Sequence, residues 1–82
     1  MRLYHYTDVV GYNLFISEEG LKPPVKLSSH KTRWKSVGNV RITVDSDDLD
    51  SNLLKKYGGY GQVYEYEGVI SPSLFKLVEK VD

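Results

Sequence analysis

The chain has no cysteine, few prolines and histidines, and no excess of charge of either sign. Without cysteine there are neither disulfides nor thiolate metal ligands, so the staples of small secreted domains are excluded and a reducing compartment, the cytoplasm, is the expected setting. No uncharged apolar run approaches the ~18–20 residues that a membrane-spanning helix requires. The opening Met1-Arg2-Leu3-Tyr4-His5-Tyr6 also lacks the apolar stretch of a secretory leader, so neither membrane insertion nor secretion is expected. Eleven basic residues balance eleven acidic ones, which leaves no electrostatic footprint for duplex nucleic acid. His5 and His30 are far apart in sequence and no metal site is expected from them. Gly58-Gly59-Tyr60-Gly61 follows an apolar pattern of helical spacing and lacks the Lys-Ser/Thr of a phosphate-cradling loop, so it reads as a stop and a turn.

What is present is a chain of 82 residues, near the lower end of what folds alone, since a domain of that size buries only about 60–65% of its unfolded surface. One core and one domain, 1–82, are expected. Seven tyrosines supply large contact area with polar tips, which suits binding faces. A homodimer or higher homo-oligomer would extend so small a core. Lys22, Lys26, His30, Lys31, Arg33 and Lys35 form a basic stretch, and Asp45, Asp47, Asp48 and Asp50 an acidic one. Such a pair suits a small anionic ligand, or is simply two solvated loops.

Arg2 to Thr7 alternates, with Leu3, His5 and Thr7 on one face and Tyr4 and Tyr6 on the other, and reads as a strand. Thr7 or Asp8 then caps a helix whose apolar stripe is Val9, Val10, Leu14 and Phe15 and whose end is Gly20 followed by Leu21. Pro23-Pro24 forces extended backbone before a short strand from Val25 to Ser28. Asn39 to Asp45 alternates cleanly, with Val40, Ile42 and Val44 on the buried side. Leu49, Leu53, Leu54 and Tyr57 recur at helical spacing after several acidic capping candidates, which predicts a second, short helix. Gln62 to Glu67 alternates again. Ser71-Pro72 starts one helical turn, and a last strand follows. The fold class is α+β, a small twisted and mostly antiparallel sheet with one main and one short helix packed on it.

Several side chains stand out chemically. His5 presents an imidazole, and Thr7, two residues on, a hydroxyl on the same strand face, which suits a ribose or phosphate; the plainer alternative is a half-buried histidine satisfied by backbone. Trp34 between Arg33 and Lys35 suits stacking on a base with cationic contacts, or else Trp34 plugs the core from a loop. Arg41 can clamp a phosphate through its planar fork of donors.

The run Leu3-Tyr4-His5-Tyr6-Thr7, a helix, and then Glu19-Gly20-Leu21-Lys22-Pro23 resembles the opening of ADP-ribosyltransferase-like families, among them RNA 2′-phosphotransferases, DNA-targeting toxins and small phage and bacterial relatives. Lys26-Leu27-Ser28-Ser29 stands where those families place a Leu-Ser or Phe-Ser strand end, and Val40-Arg41-Ile42-Thr43-Val44-Asp45 resembles their Arg-containing strand. The resemblance spans the first half to two thirds of the chain. It implies that His5 contacts the ribose and phosphates of NAD, that Ser28 supports the nicotinamide side, and that Glu65 or Glu67 takes the place of the late-strand glutamate. Those enzymes carry an acceptor loop and further strands before that glutamate, for which this chain has hardly any room. The bland reading of both glutamates is a solvated strand face.

Three functions are therefore expected, in order. The first is a non-catalytic binding protein for a nucleotide-type ligand (NAD, ADP-ribose or a nucleotide second messenger), of a kind that would suit phage counter-defence by sequestration. Its site residues are His5, Thr7, Ser28, Arg33, Trp34 and Arg41. The second is a mono-ADP-ribosyltransferase using NAD, with His5, Ser28 and Glu65 or Glu67. The third is an inhibitor that binds another protein and takes no small ligand.

Overall fold

Among the described residues six short strands form a single antiparallel sheet in the order β4-β5-β2-β1-β3-β6. They are β1 (Arg2–Thr7), β2 (Val25–Ser28), β3 (Val40–Asp45), β4 (Leu54–Tyr57), β5 (Val63–Tyr66) and β6 (Leu77–Lys80). This computed structural model describes residues 1–31, 38–57 and 63–81. β1 lies inside the sheet, pairing with β3 from Arg2↔Asp45 to Thr7↔Val40 and with β2 at Tyr4↔Ser28. Because residues directly opposite in an antiparallel ladder share a face, this register sorts the side chains into two sets. Leu3, His5, Thr7, Val25, Leu27, Val40, Ile42, Val44, Tyr64, Tyr66 and Val78 share one face; Tyr4, Tyr6, Lys26, Ser28, Arg41, Thr43, Val63, Glu65 and Glu79 share the other.

The first face carries the core. Leu3, Ile42, Val44, Leu27 and Val25 are almost wholly buried there, and Leu21, Leu49 and Ile70 close over them. The alternation read in Arg2 to Thr7 and Asn39 to Asp45 is the alternation observed. The expected turn and final strand are present as well: Ser71 caps a 3-10 turn at Pro72–Leu74, and β6 follows.

One main helix, α1, covers residues 9–19. It begins as an α-turn at Val9–Gly11, widens into π-helical winding at Tyr12–Ile16 and returns to α at Ser17–Glu19. Asp8 is the cap, its carboxylate accepting from the Gly11 N–H at 2.6 Å, as expected of an acidic residue at an orphan N–H. The inward face differs from the expected stripe. Val9, Tyr12 and Ile16 pack on the core, whereas Val10, Leu14 and Phe15 are 65%, 63% and 58% exposed. Tyr12 has an apolar body that serves the core as well as Leu14 would, and the wider winding re-aims the residues that follow it. Gly20 ends the helix at φ +81°. Leu21 then forms an isolated antiparallel bridge with Ile70, with both backbone hydrogen bonds at 2.9 Å. The Pro23–Pro24 peptide bond is cis.

The second helix expected from Leu49 to Tyr57 is absent. Asp45 caps a single 3-10 turn at Ser46–Asp48, Asp50 accepts from the Asn52 N–H, and the chain continues as β4, paired with β5 from Leu54↔Tyr66 to Tyr57↔Val63. Short polar side chains that bond their own backbone compete with helix, and a segment this short gains more from a strand partner than from helical bonds. Helical spacing of Leu49, Leu53 and Leu54 is still used: all three touch the core, from a turn and a strand end.

Candidate functional site

The strand face that carries the core also carries His5, and above it the end of α1 and the chain leading to β2 leave a cleft of about 300 Å³. Phe15 and Ile16 of α1, Leu21 and Pro24 of the connection and Val25 of β2 form apolar walls; Glu19 and Lys22 stand at the cleft as its charged groups. Such a volume is at the small end of ligand sites, enough for one planar ring and its substituent. Lys22 and Glu19 form an exposed ion pair at 3.4 Å, too weak a contact to hold Lys22 from an incoming anion.

His5 is half-buried, and its Nδ1 lies 2.7 Å from the carbonyl oxygen of Lys26. A carbonyl only accepts, so Nδ1 carries the proton and Nε2 is left as an acceptor. The donor that the sequence reading offered to a ribose or phosphate is thus committed to the backbone. Recognition at this ring requires a ligand that donates, such as a carboxamide or amine N–H or a ribose hydroxyl. Burial is the main cause that lowers the His5 pKa below its ordinary 6.5, the backbone hydrogen bond opposing it, so the ring is neutral near pH 7.

That burial has a consequence for stability. Between the lowered folded value and 6.5 the unfolded chain binds more protons than the folded one, so stability falls as the pH falls through this window and is full above it. Urea midpoints should therefore decline from about pH 7.5 to about pH 5.5 in the native protein, and the His5→Gln variant, which lacks this imidazole, should show a shallower decline. An equal slope in both proteins would show that His5 is not the group responsible. Glu65 and Asp45, both held below ordinary carboxylate values, the first by its hydrogen bond to Lys26 and the second by the Asp47 N–H, titrate in a lower range and leave this window clear.

On the opposite face the chemistry is already occupied. Arg41 reaches Glu79 Oε1 through Nε at 2.9 Å and Nη2 at 2.7 Å, so its fork is closed on a neighbouring strand. Lys26 is paired with Glu65 in a hydrogen-bonded ion pair, which removes the freely solvated Glu65 of the simpler reading. Ser28 Oγ donates to the His30 carbonyl at 3.0 Å and accepts from the His30 N–H at 3.1 Å, so it holds a tight turn. The Tyr4 ring has Lys31 Nζ at 5.7 Å and Arg41 Cζ at 5.9 Å from its centre, cation-π distances that add to the order of this face. The Tyr6 hydroxyl is buried beside the Arg41 guanidinium.

The structure brings His5 and Thr7 onto one strand face but places only His5 in the cleft. Ser28, Arg41 and Glu65 lie across the sheet from it, and the Glu67 N–H bonds Leu53 at the β4 end of the sheet. Arg33 and Trp34 lie outside the described residues. The cleft adds Phe15, Leu21, Pro24 and Lys22, which the sequence assigns to the helix stripe, the helix stop, the extended connection and the basic stretch, and Ile16, to which it assigns no role. The available signal was an aromatic side chain one turn before a Gly-Leu-Lys-Pro-Pro run, with a histidine on the strand before it. Among the described residues no group of His, Asp and Glu is placed to hold a metal ion, and no helix is long and apolar enough to cross a membrane. Comparison with known proteins gives no matching family model, no matching curated protein and no matching solved structure.

Proposed function

We propose that the protein binds a small nucleotide-type ligand, such as NAD, ADP-ribose or a nucleotide second messenger, and releases it unchanged. The observation that carries this reading is the cleft itself: apolar walls from Phe15, Ile16 and Pro24, one neutral histidine offering an acceptor, and Lys22 beside them. A flat ring with a carboxamide or amine suits the walls and Nε2, and a phosphate suits Lys22. The alternative mono-ADP-ribosyltransferase is less well supported, because Ser28 and Glu65 lie across the sheet from His5 and both already have partners. Sequestration of such a ligand in the cytoplasm, as a phage counter-defence protein would do, is the setting this chemistry suits.

A thermal-shift series with NAD, ADP-ribose and linear and cyclic nucleotides tests the reading. A ligand at about a hundred times its dissociation constant adds ~2.7 kcal/mol, which for a domain of this size raises Tm by about 10 °C or more. The shift should vanish in Phe15→Ala, whose ring is exposed at the cleft, and persist in Ser28→Ala. Recovery of the ligand as nicotinamide and ADP-ribose would instead establish the enzyme, and no shift with any ligand would remove both nucleotide readings in favour of a protein-binding inhibitor.

A further inference from the structure

The sheet ends at β6, which pairs with β3 on one side and with no described strand on the other. The Val81 N–H donates to the Asn39 carbonyl at 2.8 Å, at the end of that ladder. Since backbone groups alternate in direction along a strand, the N–H and C=O of Val78 and Lys80 point outward, away from β3. Beside this edge, on the core face, a second cleft of about 200 Å³ lies between α1 and the sheet, lined by Val9, Tyr12 and Asn13 of the helix and by Val40, Val78 and Lys80 of the strands. Lys80 is exposed and has no ion-pair partner among the described residues, while Glu79 is held by Arg41 and Lys76 by Asp48.

We propose that β6 is a docking edge for an extended segment of a partner protein, which adds as an antiparallel strand and carries an acidic residue two positions before an aliphatic one. The outward groups of Val78 and Lys80 supply the main-chain bonds, and alternate side chains of the added strand supply specificity. The residue opposite Val78 shares the core face and enters the cleft beneath α1, so it is aliphatic. The residue opposite Lys80 shares that face too and, in an antiparallel segment, comes two positions before the residue opposite Val78; Lys80 is the cation of this edge without an ion-pair partner among the described residues, so the residue opposite it is acidic.

A second copy of the chain suits the same edge poorly. A two-fold pairing that continues the sheet sets residues of one face opposite each other; centred on Val78 it opposes Lys76 and Lys80, and centred on Glu79 it opposes the two copies of Glu79. Like charges directly opposite destabilise a ladder. The other edge, β4, carries Lys55 and Lys56, exposed and on successive faces, the usual protection of an edge against strand addition.

The test uses fluorescence anisotropy with labelled, capped peptides of alternating threonine that contain Glu-Thr-Ile, together with three controls: Lys-Thr-Ile, Glu-Thr-Asp, and Glu-Thr-Ile with N-methylated backbone. The Glu-Thr-Ile peptide should bind and the N-methylated and Asp peptides should not. Lys80→Glu should weaken Glu-Thr-Ile about fivefold and strengthen Lys-Thr-Ile by a similar factor; Lys80 lies on the surface at the strand end, so the fold is expected to be kept, and circular dichroism checks this. Binding that ignores N-methylation or the charge exchange would overturn the proposal, as would no binding of Glu-Thr-Ile at all. A concentration-dependent dimer that Lys80→Glu alters would give the edge to a second copy and overturn the hetero-partner. The nucleotide cleft is separate, so Phe15→Ala should leave peptide binding unchanged.

Discussion

Ile42→Ala should remove about 2–5 kcal/mol of folding stability. Ile42 is fully buried, sits opposite His5 on one side and Val78 on the other, and lies in the middle of β3, next to the central strand. Its truncation leaves a void that neither neighbouring ladder can close without losing register, so little of the cavity cost is relieved by collapse. A domain of this length has roughly 4–12 kcal/mol in all, and one change therefore removes a large share of it. In urea the midpoint should fall with little change in slope, and Tm should drop by about 10 °C or more. Val63→Ala, at an exposed position on the opposite face, should cost less than about 1 kcal/mol. Equal losses at both positions would mean that the core does not lie on the face to which the register assigns it.

Gly20→Ala should be comparably damaging for a different reason. At φ +81° and ψ −170° the backbone is in a region essentially reserved for glycine, at a cost of about 1–3 kcal/mol for any other residue. A Cβ there would also collide with the carbonyl oxygen of Ile70, a backbone atom that cannot step aside while it accepts the Leu21 N–H. The substitution therefore breaks the Leu21–Ile70 bridge as well, and a total of about 3 kcal/mol or more is expected. Because Gly20 and Leu21 line the cleft beside His5, the thermal shift with ligand should be lost too, even at temperatures where the variant is folded. Gly11→Ala, inside α1 at φ −60°, is the control and should change stability by no more than about 1 kcal/mol. If Gly20→Ala melted with the native protein, the bridge would have no part in holding the connection.

Where apolar and polar residues alternate strictly, as Val40, Ile42 and Val44 do with Arg41 and Thr43 in β3, there is a single way to lay the strand, and sequence alone suffices; in β1 the alternation of residue types marks a strand without saying which side is buried. The turn at Ser71-Pro72 was equally legible, since a capping hydroxyl followed by proline has few other uses. The segment after Asp48 was not. Leu49, Leu53 and Leu54 have the spacing of a helix, and only the partner strand β5, distant from view in a local reading, decides for β4. The helix stripe failed in a related way: residues 9–16 hold two apolar faces, and which one turns inward depends on the π-helical winding at Tyr12–Ile16 and on the sheet beneath. As for the site, residue type and strand position single out His5, whereas nothing in the local sequence separates Ser28 and Arg41 from it. The one-residue parity of Tyr4↔Ser28 and Tyr6↔Arg41 is what separates them.

The strand order also governs time. The strand with neighbours on both sides at the centre is the first in sequence, and its longest ladder joins Leu3 to Val44 and Thr7 to Val40, so the core is completed only by segments far apart in the chain. Among the described strands only β4 and β5 pair across a short stretch of sequence. The remaining pairings close large loops before they yield any burial, and that entropy is lost first and recovered late. A chain emerging from the ribosome thus carries Leu3, Val25 and Leu27 in the open until Ile42, Ile70 and β6 arrive. Pairings so distant in sequence set an expected folding time in the millisecond-to-second range, and the period before it is when the protein is most exposed to proteases and to its own kind.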